Sequence, residues 1–329
     1  MYQVPDYNQT VSMKLSEVLA DIGVDERIVM KRRRTWLLIE SIENITHQLL
    51  DKNASAYIFG SQSEGTTTID LQSDLDQLNC DKAFPVIQDW SDWIPGLYNL
   101  LMIQDNSISP GYCLLQVLRD DAPLPLDGES HHLVFKDRTG KLLLKKFIVS
   151  LFNINREIHG PAGFEQGQPG ISDKDSVFAL HCTTWPQQAR QWLDQQGEGQ
   201  WPSAEMKQYC SRTGCFVVGV GCRGSEHEQL EWRISTSLAE RCLMFNLNIT
   251  QIRCYVLMKM ILKTFINPLF KDVITSFMCK TVLFHCISNA HSNIWRENNL
   301  LSCLSLCLYL LYNNIINENC PHFIIPGNN

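Results

Sequence analysis

The sequence has no excess of positive charge. Of its 329 residues, 28 are Lys or Arg and 35 are Asp or Glu, giving a formal net charge of −7. Bulk attraction to a polyanion is thereby excluded, so any contact with nucleic acid needs a local basic patch. The N-terminal stretch Met1-Tyr2-Gln3-Val4-Pro5-Asp6-Tyr7 has no basic segment running into an apolar one, which argues against a secretory leader. The expectation is an intracellular chain, cytoplasmic, with the nucleus as the alternative. Long apolar runs are scarce. The longest, Leu300 to Tyr312, is broken by Ser302 and Ser305 and falls short of the roughly 20 residues that span a bilayer. It predicts a buried helix and no membrane partner. Internal repeats and long low-complexity segments are also missing.

Cysteine, in contrast, is plentiful, at 13 residues. The cysteines are scattered and odd in number, which fits free thiols in a reducing compartment, most of them small core residues. With 44% hydrophobic residues the chain can bury a large core, and disorder as its main state is excluded.

Apolar Ile28, Leu37, Leu38, Ile42, Ile45 and Leu49 recur at helical spacing and predict a long helix from Val24 to Lys52. Its basic run Lys31-Arg32-Arg33-Arg34 reads first as a solvated helix face and second as a patch for nucleic acid or lipid. Strands are predicted at Ala56–Phe59, at Asp74–Leu78, around Gly111–Val117, at His132–Phe135, at Val177–Leu180 and at Phe216–Val220. Ser61 to Thr68 reads as a turn and connection, Lys141 to His159 as a helix, and Gly160 to about Ser172 as a flexible flap or rim. After Trp232-Arg233-Ile234-Ser235 the strands stop and the pattern turns helical. A domain boundary is expected there, with residues 1–240 forming one unit and 241–329 the other.

The sharpest signal is Gly60-Ser61 after a strand, then Glu64-Gly65, then Asp74-x-Asp76. Glycine at a strand end lets the backbone turn and approach a ligand, and the Ser61 hydroxyl can hold a phosphate oxygen. Residues two apart on a strand share a face, so Asp74 and Asp76 present two carboxylates side by side. Adjacent carboxylates without a cation repel each other, and a divalent metal relieves them. A two-metal site needs one more acid, and Asp175, at the start of the strand ending at Leu180, is best placed. Cys210, Cys215, Cys222 and His227 are close in sequence, but the predicted strand from Phe216 to Val220 runs through them and argues against zinc.

That ordered set resembles the polymerase-beta-type nucleotidyltransferase fold, and the flanking text is similar to the Mab-21-like family, which includes cyclic GMP-AMP synthase-like receptors. The stretches that carry the resemblance are Phe59 to Gly65, Ser73-Asp74-Leu75-Asp76, Asp175 to Leu180 with Trp185-Pro186, Trp232 to Ser237 with Glu240, and Ser276 to Thr281 with His285 and Trp295. His322-Phe323-Ile324-Ile325-Pro326 resembles a further one. The resemblance implies an α+β fold: a nucleotidyltransferase lobe on a long spine helix, packed against a C-terminal all-helical lobe of helix-hairpin-helix type, with nucleotides in the cleft between. It implies that Asp74, Asp76 and Asp175 hold catalytic Mg²⁺, or Mn²⁺ in its place. It also implies that Gly60 and Ser61 contact donor phosphate, that Arg233 contacts the acceptor base, that Lys259 binds nucleotide, and that Ser276 with Phe277 meets the donor base. The implied activity is synthesis of a cyclic dinucleotide from ATP and GTP in innate immune signalling. The alternative is an inactive relative serving as a nucleotide-, RNA- or protein-binding module.

The family's zinc-bearing insertion has no counterpart between Cys242 and Cys254, so DNA binding through a zinc thumb is not expected. Double-stranded RNA docking on Lys31 to Arg34 is the candidate activation. Three departures stand out: Gln77 where the family has a hydrophobic residue, Phe178 where many members have proline or a small aliphatic, and an end at Asn329 where relatives continue. The last predicts a shortened or incomplete C-terminus.

Overall fold

Asp25 caps the longest helix described: its side chain accepts from the backbone N–H groups of Arg27 and Ile28, satisfying donors that a helix start leaves free. The computed structural model describes residues 7–329 apart from 69–70, 72, 153–156, 169–171, 198, 271–272, 326 and 328–329. Helix α1 (Tyr7–Asp21) precedes this spine, α2 (Glu26–Leu49). The mixed region that follows runs β1 (Ala54–Phe59), α3 (Gly60–Glu64), β2 (Leu75–Ile87), β3 (Leu100–Ile103), β4 (Tyr112–Val117), β5 (Val134–Lys136) and β6 (Leu142–Leu144). It continues through α4 (Ile148–Phe152), β7 (Glu157–His159), β8 (Ala162–Glu165), β9 (Lys174–Cys182), α5 (Arg190–Asp194), α6 (Ala204–Thr213), β10 (Cys215–Val218) and β11 (Trp232–Ser235). The remaining elements described are helical: α7 (Ser237–Phe245), α8 (Ile249–Ile261), α9 (Ser276–Asn289) and α10 (Leu300–Ile316), with a π-helical turn at Leu262–Ile266 between α8 and α9. The fold is mixed α+β.

The strands join in the order β1-β2-β3-β4-β11-β10-β9-β8-β7, and β2 also pairs with β9. That extra pairing is parallel and closes the path on itself, which puts the start of β2 between β1 and β9. The β9 run Val177–Leu180 is apolar enough to be covered on both sides. Trp232 on β11 is fully buried and its indole N–H donates to the Leu144 carbonyl at 3.1 Å. One core runs from the sheet through Leu180 and Trp232 into Leu243, Val256, Leu283 and Cys307 of the helices. Ten of the cysteines are buried in it or nearby as free thiols.

Several expectations need correcting. The segment Lys141 to His159 is no single helix: Leu142–Leu144 is a strand paired with β5 and β4, only Ile148–Phe152 is helical, and Glu157–His159 pairs with β8, while 153–156 lie outside the described residues. Three consecutive buried leucines satisfy a strand covered on both faces as well as a helix, and the neighbouring strands decided it. Ser61 to Thr68 is not all connection, because Gly60–Glu64 forms a helical turn closed by Gly65 at φ +72°. The expected flap is in part a strand, Ala162–Glu165, paired with β7 and β9; its residues 169–171 are not described.

The basic run is no uniform solvated face either. Arg33 is buried and donates to the carbonyls of Glu64, Phe245 and Met244, each at 2.9 Å. Arg32 donates to the carbonyls of Gly23 and Thr67 at 3.0 and 2.7 Å. Only Lys31 and Arg34 remain exposed. The predicted buried C-terminal helix is buried on one side alone: Cys303, Leu304, Cys307 and Leu311 face the core, and Tyr309, Tyr312 and Ile316 face out. With its lead-in turn the segment Glu297–Ile316 spans 20 residues at mean hydropathy 1.4. By length and composition alone it could cross a membrane, because residues beyond the apolar run extend the helix at both ends.

Candidate active site

Strand β1 ends at Phe59 and the chain turns at Gly60, whose φ is +73°. A Cβ at Gly60 would lie 1.8 Å from Oδ2 of Asp76 and 2.8 Å from its Cγ, so the turn needs glycine both for its conformation and for its closeness to the carboxylate. Asp76 stands opposite Phe59 on β1 and opposite Asp175 on β9. Cross-strand partners in register point to the same face, which sets the Asp76 and Asp175 carboxylates side by side. Asp74 precedes the first paired residue of β2 by one position, off the strand on which it was expected.

The electrostatics follow from this crowding. Burial, and then the charge of Asp175, pushes the Asp76 carboxyl up to about 6. Asp74 is raised by burial and by Asp175 and Asp173. Crowded hard oxygen donors of like charge have the chemistry that Mg²⁺ or Mn²⁺ takes. Among the described residues no three His, Cys, Asp or Glu side chains are already gathered around one point as a metal cage. The fit therefore rests on Asp76 and Asp175 in register, with Asp74 at the margin.

Around Ser61 the helical lobe reaches in. The ammonium of Lys259, on α8, donates to the Ser61 hydroxyl at 2.7 Å and to the Thr66 carbonyl at 3.0 Å. Burial depresses its pKa to about 8. From α9, Lys280 donates to Glu64 at 2.6 Å in a nearly dry ion pair. Burial lowers the Lys280 pKa, but Glu64, Tyr255 and Glu240 more than offset this and hold it above the usual lysine range. Both lysines tie the short helix α3, and so the Gly60 turn, to the helical lobe.

Between the lobes lies a cleft of about 950 Å³, whose walls include Gly60, Asp76, Arg233, Glu240, Phe277 and His322. That volume suits a ligand of nucleotide size or larger. Arg233 comes from β11, and Phe277, in the first turn of α9, is 44% exposed with its ring 5.5 Å from that of His322. Of the nine expected residues, Gly60, Asp76, Arg233 and Phe277 line the cleft. Ser61 and Lys259 meet each other beside it, and Asp175 stands next to Asp76. Ser276 is not in the cleft wall; its carbonyl accepts from the Tyr255 hydroxyl at 3.2 Å, and Thr275 caps α9 instead.

Glu64, Lys280 and His322 had no role assigned from sequence, although each lies in a stretch singled out there. Nor had Glu240, which accepts from Thr236 at 3.3 Å and lies 3.8 Å from His322. Lys280 and His322 were signalled by a polar group inside apolar text, whereas Glu64 and Glu240 sit among polar neighbours that gave no such signal.

Residues 251–329 match the family described as Mab-21 protein HhH/H2TH-like domain. The C-terminal lobe is a Mab-21 domain. This supports membership of the Mab-21 family, which is nucleotidyltransferase-like. The Mab-21 domain contributes Lys259, Phe277, Lys280 and His322 to the site, so the match and the cleft geometry bear on the same residues. No curated protein matches the chain.

Proposed function

We propose that this Mab-21-family chain is a Mg²⁺-dependent nucleotidyltransferase that uses ATP and GTP to make a cyclic dinucleotide of the cyclic GMP-AMP kind as an innate immune signal. The observation that carries the reading is the register of Asp76 with Asp175 beside the Gly60–Ser61 turn, at the wall of a nucleotide-sized cleft. Asp76, Asp175 and Asp74 would hold the divalent ion. When bound it supplies charge neutralisation to the attacking and leaving oxygens of phosphoryl transfer.

The chain's own groups do the rest. Ser61 donates to a phosphate oxygen of the donor nucleotide. Lys259, held 2.7 Å from Ser61, places a positive charge where the triphosphate lies. Arg233 offers a planar set of donors to the acceptor base, and the ring of Phe277 stacks on a base.

The test is incubation of the purified chain with Mg²⁺ or Mn²⁺, labelled nucleoside triphosphates and a panel of duplex RNA and DNA. The expected result is a phosphatase-resistant product that Asp76→Asn abolishes. Nucleotide binding without product in every combination would overturn the enzymatic reading and leave a nucleotide-binding module.

A further inference from the structure

Helix α2 carries an apolar seam that faces away from the rest of the protein. Leu38, Ile42, Ile45 and Leu49 are 61%, 55%, 54% and 79% exposed. Their spacing of four, three and four residues is the repeat of a two-helix seam. On a helix turning about 100° per residue they fall within a strip about 60° wide. The inward side is the opposite one, defined by buried Val29 and Arg33, by Glu40 on Arg241, and by Asn44 on the Ala56 backbone. Ile39 and Leu50, 40% and 60% exposed, widen the strip. The six residues together expose on the order of 600 Å², at the upper end of what monomers leave open and close to one side of a standard interface.

The charges at the two ends choose the occupant. Lys31 and Arg34, both exposed, extend the seam at its N-terminal end. Its C-terminal end has exposed Asp51 and the carbonyl end of the helix, which carries about half a negative charge, with Lys52 just beyond. A second copy laid parallel would set Arg34 against Arg34. Laid antiparallel, it sets Leu38 against Leu49 and Ile42 against Ile45, and brings each Arg34 to within about a turn of the other copy's Asp51. The antiparallel arrangement separates the two copies of Arg34 and sets each near the carbonyl end of the other helix, where Asp51 and Lys52 offset each other and the helix dipole supplies the negative partner.

We propose that α2 is a self-association face, on which two copies of the chain pair antiparallel about a twofold axis between Ile42 and Ile45. Such an interface is isologous and closes after two copies. It also places Arg34 at its rim, within the basic run whose second reading was a nucleic-acid patch.

Sedimentation equilibrium of the purified full chain, from about 1 to 50 μM, tests this. The expected wild type is a reversible dimer. Ile42→Lys should weaken it by about a hundredfold or more, because a lysine would be desolvated against an isoleucine, with the melting temperature of the monomer unchanged. Should Ile42→Lys not fold, Leu49→Lys at the most exposed seam position serves the same purpose. Arg34→Glu should weaken the dimer, and adding Asp51→Arg should restore it. A wild type that stays monomeric at 50 μM overturns the proposal. So does a dimer indifferent to both seam variants, or a monomer that binds duplex RNA and loses that binding with Arg34→Glu.

Discussion

A Cβ added to Gly60 would stand 1.8 Å from Oδ2 of Asp76. The turn that ends one strand and the carboxylate that begins the next are thus built into each other's space. Gly60→Ala has to move one of them, and it must also hold alanine at φ +73°, a conformation that costs an L residue about 1 kcal/mol or more. Under the proposed function, nucleotidyl transfer should drop at least tenfold while the chain still folds. Activity and melting temperature measured side by side check this, and an unchanged rate would show that the Asp76 position is not critical.

The Lys280–Glu64 pair, 2.6 Å apart with side chains 13% and 4% exposed, joins α9 to α3. Lys280→Met alone strands a buried carboxylate, and removing one member of such a pair typically costs about 3–5 kcal/mol. The double variant Lys280→Met with Glu64→Leu should recover most of that loss. Urea unfolding of the three proteins decides it. If the double variant is as unstable as the single, the pair is not what ties the two elements together.

Arg33 donates to three backbone carbonyls, whereas Lys31 points into solvent. Arg33→Met leaves those carbonyls without their donor, and we expect a loss of about 3 kcal/mol. Lys31→Ala should change stability by less than about 0.5 kcal/mol. Equal losses in thermal unfolding would contradict the division of the basic run into structural and exposed residues.

Lys259 predicts a pH dependence whose sign can be stated. Burial lowers its ammonium from the ordinary 10.5 to about 8. Between these values the unfolded chain still holds a proton that the folded chain has released, so raising the pH through this window stabilises the fold. The gain at its upper end is on the order of 3 kcal/mol. Below about pH 8 both states are protonated and the group gives no slope. The unfolding free energy of the wild type should therefore rise relative to Lys259→Met between pH 8 and 10. A constant difference across that range would mean that the lysine is not desolvated.

The Gly60 turn and the acids Asp74 and Asp76 were readable as a candidate site because they sit at strand ends with distinctive neighbours. Phe59-Gly60-Ser61 announces a strand, a tight turn and a polar hydroxyl in three letters, and Asp74-Leu75-Asp76 places two acids where a strand begins. The long spine helix was legible from the spacing of Ile28, Leu38, Ile42, Ile45 and Leu49. That same periodicity gives the helix but not which way its stripe faces: Leu38, Ile42, Ile45 and Leu49 face outward. The inward contacts are made by Arg33, Glu40 and Asn44. Polar side chains that turn inward to bond backbone or a buried partner leave no hydrophobic trace for a pattern to find. Leu142–Leu144 failed for a different reason, since a run of three apolar residues has no period at all.

By itself, then, the sequence determined the elements whose signal is local: the spine helix, the glycine turn, the acids at the strand end, and the change from mixed to helical text after Ser235. Helical periodicity, left-handed glycine and residue type act over a few residues, and no distant contact is needed to express them. The tertiary structure alone decided which acids meet and which cations are free. Asp175 reaches Asp76 only through the parallel register of two strands 99 residues apart in sequence, and Lys259 and Lys280 reach α3 only because the helical lobe closes over it. These pairings are set by how whole surfaces pack and desolvate, and the free energy of burying a charge depends on what the rest of the chain brings against it.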